Sequence, residues 1–157
     1  MYRRDLGEKL FTVARHVNPF LGGKMIGDQL AKYQSPIQGL ARIVIGLLFF
    51  SHGAQKLFGW FGAEGTVDLF SRFGVAGVLE FIGGILIMLG LFTRPVAFIL
   101  SGQMAVAYFW IHLPGGLLPW NNGGELAAIY SWVFLLFATL GGGSFALDAM
   151  LARKDGD

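Results

Sequence analysis

The stretch IQGLARIVIGLLFFSHGAQKLF (residues 37–58) decides the fold, because it is a long run of apolar residues. Its only ionisable side chains are those of Arg42, His52 and Lys56. An α-helix needs about 20 mostly apolar residues to cross about 30 Å of hydrocarbon. The stretch is therefore predicted to be a membrane-spanning helix.

Three further apolar runs follow, at residues 75–92, 95–113 and 125–141. The chain of 157 residues is 54% hydrophobic and 14% charged, whereas about a quarter of the residues in a soluble domain are charged. Only Thr93, Arg94 and Pro95 join the second and third runs, and so short a link makes two helices antiparallel neighbours. We predict an all-α integral membrane protein with an antiparallel four-helix bundle at residues 37–148.

The segments on either side of this domain are predicted to lie at the cytoplasmic face. In residues 1–36, Leu6, Leu10, Val13 and Val17 recur at helical spacing, which is typical of an interfacial amphipathic helix. Residues 149–157 are predicted to form a cytoplasmic tail. Lys and Arg are concentrated in the segments on this side of the bilayer, and an excess of them marks the cytoplasmic loops. The protein is thus expected in the cell inner membrane, multi-pass, with both termini in the cytoplasm.

The composition excludes several kinds of chemistry. The chain has no cysteine, which rules out disulfides, thiol relays, iron–sulfur ligation and covalent c-type haem. The net charge is only +2, and no basic run is interleaved with aromatic residues in the manner of nucleic-acid binding proteins. We expect no metal site, no covalent cofactor and no nucleic-acid partner. The expected partners are the lipid bilayer and either other membrane subunits or further copies of the chain.

Ionisable residues within the runs are the candidate site. His52 and Lys56 are four residues apart and share one helical face, while Glu80 lies in the second run. Inserting such a residue near the bilayer centre costs at least about 2.5 kcal/mol of free energy. It is therefore expected to have a charged or polar partner, or a functional role. Antiparallel helices place these three side chains in the outer half of the membrane. We predict a buried polar cluster there, and the further residues expected to bind a ligand are Arg42, Gln103, His112, Trp120, Asn121 and Glu125.

Blander interpretations of the same residues stay open. Lys56 and Glu80 can form a purely structural ion pair that fixes the helix register. Gln103 can form a hydrogen bond between helices, and His112 can be a solvated residue at a helix end. A haem held by His52 and His112 is conceivable, but it leaves Lys56 and Glu80 unexplained.

Four sequence elements carry a resemblance to a known family. RIVIGLLFFSHGAQKLFGWFG (residues 42–62), EFIGGILIMLGLFTRP (80–95), NNGGELA (121–127) and the later Asp148 resemble the DoxX family. The resemblance covers about residues 37–148. It implies a four-helix inner-membrane protein linked to redox or oxidative-stress functions, with relatives that include a small subunit of a thiosulfate:quinone oxidoreductase. The positions that match its motif are Arg42, His52, Gly53, Lys56, Glu80, Gly84, Arg94 and Glu125.

Two functions remain after this reasoning. The first is a membrane subunit of a redox assembly that binds a quinone or a small acidic substrate. Its catalytic residues would be Lys56, which faces a carbonyl or anion, His52, which exchanges protons near neutral pH, and Glu80, which holds Lys56 and relays protons. The second is a non-catalytic scaffold or accessory subunit of a larger membrane complex. A solute transporter is disfavoured, because the runs lack paired, broken half-helices.

Overall fold

The computed structural model describes residues 26–154, and the regular structure in that range is entirely helical. The helices are α1 (Ile26–Ala31), α2 (Gln34–Phe58), α3 (Arg72–Leu89), α4 (Thr93–Ala107), α5 (Pro119–Asn122), α6 (Glu125–Leu140) and α7 (Leu147–Lys154). After α4 the chain continues into a π-helical turn (Tyr108–His112) and a 3-10 turn (Leu113–Gly115). The amphipathic helix predicted near residues 6–17 lies outside the described residues. Helix α1 belongs to a separate unit from residues 35 onward.

Three helices of the described range are long and apolar enough to cross a membrane. They are α2, α3 and the continuous segment Thr93–Gly115. Helix α6 is equally apolar but has only 16 residues. The predicted all-helical structure is thereby confirmed for the described residues, and these helices suit a membrane by their length and composition.

Helix α3 begins and ends about three residues earlier than predicted. At its start, the Ser71 side chain accepts a hydrogen bond from the Gly74 N–H, and this N-cap satisfies a donor that the helix leaves open. At its end, Gly90 adopts a left-handed conformation with φ of 67°, which commonly terminates a helix. Both signals are local and outweigh the length of the apolar run.

Helices α2 and α3 approach each other through glycines. A Cβ atom on Gly84 would lie 2.5 Å from the backbone nitrogen of Phe50, and one on Gly46 would lie 2.7 Å from that of Met88. Neither distance is possible for a real side chain, so the two backbones are in direct contact. Small residues permit this kind of approach between membrane helices.

Aromatic and serine contacts join α6 to α2 and α4. The ring of Phe49 on α2 packs edge-on against Phe134, with centroids 4.7 Å apart. Between α4 and α6, the Ser101 hydroxyl donates to the Ser131 carbonyl at 2.8 Å, and the Ser131 hydroxyl donates to the Ser101 carbonyl at 3.2 Å. Reciprocal hydrogen bonds of this type fix the register of two helices in an apolar medium.

The guanidinium of Arg42 is fully buried and bound to backbone carbonyls. It donates to Met88 at 2.6 Å, to Gly142 at 2.9 Å and to Phe145 at 3.1 Å, and also to Ile87. Arg42 therefore joins the end of α3 to the segment between α6 and α7.

Two further motif residues also bind helix ends. The carboxylate of Asp148 accepts the N–H groups of Phe92 and Thr93, both at 2.8 Å, and so caps the start of α4. Arg94 donates to the Thr139 carbonyl at 2.7 Å, near the end of α6. These are the places where helices leave backbone groups unpaired. Arg94 and Asp148 are thus structural residues.

The helix cap formed by Asp148 should make the thermal stability of the protein depend on pH in the acidic range. Partial burial acts to raise the pKa of this carboxyl, but the N–H groups of Thr93 and Phe92 outweigh it and hold the pKa below its ordinary value of 3.8. A carboxyl with a lowered folded-state pKa contributes its full stabilisation above the unfolded-state pKa and loses it as the pH falls through the folded-state pKa. We expect Asp148→Asn to lower the Tm near neutral pH, with a gap to the wild type that closes below about pH 4.

This dependence can be measured by thermal unfolding in detergent over a series of pH values. Glu125→Gln is the matched control, because Glu125 is exposed at the start of α6. A gap between wild type and Asp148→Asn that stays constant down to low pH would show that the charge of Asp148 contributes nothing.

Candidate functional site

Lys56 of α2 and Glu80 of α3 form an ion pair, as the sequence predicts. The Lys56 ammonium donates to both carboxylate oxygens of Glu80, at 2.6 Å to Oε2. The Glu80 side chain is 3% exposed, whereas that of Lys56 is 31% exposed. The carboxylate is thus enclosed by protein, while the lysine side chain stays partly accessible.

Gln103 of α4 brings a third helix to the pair. Its Nε2 atom is 3.3 Å from Oε1 of Glu80 and 3.4 Å from the Ala76 carbonyl, and donates to both. Its Oε1 atom is buried and has no hydrogen-bond partner within the described residues. The predicted interhelical hydrogen bond is therefore present, and an acceptor of the same side chain is left unused. Buried polar atoms without a partner are uncommon and need an explanation.

The ion pair lies in the wall of a partly open cavity of about 830 Å³. Its charged and polar lining residues include Arg72 as well as Lys56, Glu80, Gln103, His52 and His112. The rest of the lining is mainly apolar and aromatic, from residues of α2, α3, α4, α6 and the π-helical turn. Small-molecule sites have this composition, with a few polar groups in a mostly apolar cavity of about 300–1,000 Å³.

The two histidines lie at different parts of the wall. The ring of His52 meets that of Tyr130 edge-on, with centroids 6.0 Å apart. His112 belongs to the π-helical turn, and its Nδ1 is 3.3 Å from the Asn122 carbonyl. When Nδ1 carries the proton and donates to that carbonyl, Nε2 is free to accept another. A neutral imidazole offers one hydrogen-bond donor and one acceptor, so both rings bring polar groups to the cavity wall.

Four of the predicted ligand-binding residues do not lie on the cavity. Arg42 is about 21 Å from Lys56 along the axis of α2, at 1.5 Å per residue, and its donors are occupied by carbonyls. Trp120 is 69% exposed, and Asn121 and Glu125 are also exposed. None of these four residues lines the cavity in this structure, and their predicted role in ligand binding stays a prediction.

The loop before α6 holds the residues that precede this helix by two side-chain hydrogen bonds and a left-handed glycine. The Asn122 side chain donates to the Gly116 carbonyl and accepts the Gly124 N–H, both at 2.7 Å. Gly123 takes a left-handed conformation with φ of 70°. In this loop Gly123 lines the cavity, whereas Trp120 and Asn121 are exposed and do not line it.

Tyr130 and Phe49 are wall residues that the sequence did not identify. Tyr130 is 6% exposed and Phe49 is 1% exposed, and their ring centroids are 5.1 Å apart. The available signal was Tyr130 itself, because it carries a polar group in the middle of the fourth apolar run. Phe49 had no such signal among its many apolar neighbours.

Comparisons with known proteins agree with this picture of a small helical membrane protein. The DoxX family model matches residues 38–113, a range that contains Lys56, Glu80, Gln103 and His112. No solved structure matches the chain.

Three relatives illustrate the range of the similarity. An uncharacterized protein of Haemophilus influenzae is 43% identical over 81% of this chain and 99% of its own length. The inner membrane protein YqjF of Escherichia coli is 30% identical over 73% of this chain and 92% of its own. The protein named "Putative oxidoreductase CatD" of Bacillus subtilis is 28% identical over 75% of this chain and 90% of its own.

Proposed function

This chain belongs to the DoxX family of membrane proteins, and we propose that it is the quinone-binding membrane subunit of a redox-linked assembly. In this proposal α2, α3, α4 and α6 form an antiparallel bundle in the inner membrane, with both termini in the cytoplasm. Helix α6 is about 24 Å long at 1.5 Å per residue. A bilayer accommodates a span this short by thinning locally, at modest cost.

The observation that carries the proposal is the position of the Lys56 ammonium. The buried Glu80 carboxylate balances its charge, and the partly exposed Lys56 side chain lines a cavity with largely apolar walls. A positively charged donor in an apolar cavity is suited to the carbonyl oxygen of a neutral ring. The aromatic rings of Phe49 and Tyr130 form part of the same cavity wall. The name of the Bacillus subtilis relative also points to redox chemistry.

Each polar residue has a defined task in this proposal. Lys56 donates a hydrogen bond to a carbonyl oxygen of the quinone and stabilises negative charge that develops there. Glu80 orients Lys56 and accepts or returns a proton beside it. His52 and His112 pass protons between the cavity and the water beyond the helix ends. Electrons come from a partner subunit in this proposal, since the relatives that the resemblance implies include a small subunit of a thiosulfate:quinone oxidoreductase.

Replacing Glu80 by glutamine should abolish quinone-linked turnover. The amide has nearly the shape of the carboxylate but cannot take up a proton or balance the charge of Lys56, and loss of a general acid or base typically costs about 10² to 10⁴ in rate. The measurements are turnover in membranes and the amount of quinone that co-purifies in mild detergent. Glu125→Gln should leave both unchanged. If Glu80→Gln membranes turn over at the wild-type rate, Glu80 has no part in the reaction.

A second candidate function is a scaffold or accessory subunit without a ligand. It is favoured by the fact that both oxygens of Glu80 already accept hydrogen bonds from Lys56, as a purely structural ion pair requires. A scaffold should co-purify with stoichiometric protein partners and contain no small molecule. Mass spectrometry of both the proteins and the lipids in one purified sample separates the two functions.

A further inference from the structure

The rim of the cavity is apolar and exposed where α3 and α4 lie side by side. On α3, Val75 is 53% exposed and Leu79 is 36% exposed; on α4, Ile99 is 55% exposed and Val106 is 54% exposed. All four also line the cavity. In a membrane-spanning helix, exposed apolar side chains of this kind face lipid. The cavity therefore opens between α3 and α4 toward the acyl chains.

A shallow groove continues from this opening along α4. It has a volume of about 350 Å³ and is lined by Ala105, Val106, Phe109 and Trp110. Val106 and Trp110 also line the cavity, so the groove and the cavity share a wall. All four lining residues are apolar or aromatic, and they extend over about 7.5 Å of helix at 1.5 Å per residue. The groove therefore suits a hydrocarbon chain, because none of its four lining side chains carries a charge that could bind a polar group.

We propose that the ligand of the cavity enters sideways from the bilayer and leaves an apolar tail in this groove. This inference rests on the proposed function and specifies the ligand class: an amphiphile with a planar, oxygen-bearing ring and an isoprenoid or alkyl tail. The ring reaches Lys56, and the first part of the tail lies over Val106 and Phe109. The remainder of the tail stays in lipid. A small water-soluble acid could also pair with Lys56, but it would leave the groove empty.

Photolabelling of the full chain in lipid nanodiscs tests this placement. One probe is a tailed benzoquinone with an azide on the ring, and the other carries a diazirine near the start of the tail. After illumination, peptide mass spectrometry locates the labels. We expect the ring probe to label cavity residues and the tail probe to label residues 105–110. Excess unlabelled tailed quinone should suppress both labels.

Ala105→Phe is the decisive variant, because Ala105 lines the groove and not the cavity. The larger side chain would occupy the groove that the tail needs, so tail labelling at residues 105–110 should fall about tenfold while ring labelling persists. Val44→Phe is the matched control, since Val44 is an exposed apolar residue that lines neither the cavity nor the groove. Phe109→Ala, which removes one wall, gives a second test if Ala105→Phe does not accumulate. It should reduce tail labelling severalfold.

The outcomes separate this inference from the function on which it rests. If the ring label is suppressed by competitor but the tail label is scattered over lipid-facing residues and insensitive to Ala105→Phe, the groove is not used and the proposed function stands. If competitor suppresses neither label, both are wrong.

Discussion

Arg42→Met is expected to prevent the protein from accumulating as a folded species. The substitution removes the donors that bind the carbonyls of Met88, Gly142 and Phe145, while the Ile87 carbonyl keeps the Gly90 N–H. Leaving a buried polar group unpaired costs about 1–3 kcal/mol. These three hydrogen bonds are partly buried, so losing all three should cost on the order of 3 kcal/mol. Domains are stable by only about 5–15 kcal/mol. The loss should therefore be severe although Arg42 is far from the cavity.

The measurements are protein yield in membranes and Tm in detergent. Arg42→Lys should also be destabilised, because an ammonium cannot reproduce the planar fork of a guanidinium that serves several acceptors at once. Arg72→Met is the control, since Arg72 is exposed at the start of α3. A wild-type Tm for Arg42→Met would show that water replaces the lost donors.

The ion pair could be predicted from the sequence, because it follows from depth in the bilayer. Lys56 lies near the end of one apolar run and Glu80 near the start of the next, and antiparallel runs bring such positions to the same level. Low dielectric then makes pairing nearly obligatory for both charges. This prediction does not depend on the conformation of any loop. The structure places the two charged groups in contact.

The role of Arg42 could not be predicted in this way. Its partners are backbone carbonyls at positions up to 103 residues away, and every residue type has a carbonyl. No side-chain pattern in the sequence marks which carbonyls are left open by Gly90 and by the segment after α6. From sequence alone, an arginine within an apolar run is therefore predicted to contact a ligand. In the structure Arg42 instead donates hydrogen bonds to backbone carbonyls near helix ends.

The positions of Trp120, Asn121 and Glu125 depended on a loop. Their orientation is set by the left-handed Gly123 and by two hydrogen bonds of Asn122. Spacing along the chain predicts which side chains share a face only within a regular helix. Across a four-residue helix followed by a turn, that reasoning no longer applies.

Lys56→Met should have the second-largest effect on stability. A second substitution that restores stability then distinguishes a structural ion pair from a ligand-binding one. The substitution leaves the Glu80 carboxylate buried without its counter-ion, which typically costs 3–5 kcal/mol. Because the Lys56 side chain is 31% exposed, water reaches the site and the cost should lie near about 3 kcal/mol. We expect a clear drop in Tm and loss of bound quinone.

The double variant Lys56→Met with Glu80→Met removes both charges at similar volume. Replacing a buried ion pair by apolar residues is often neutral or stabilising, so the Tm should return to near the wild-type value. If the pair only fixes helix register, co-purification with protein partners and every cellular activity should return with it. If the pair binds a quinone, the protein will be stable but will contain no quinone and support no turnover. Recovery of turnover in the stable double variant would rule out the proposed site, because a cavity without Lys56 and Glu80 has lost the groups assigned to the carbonyl.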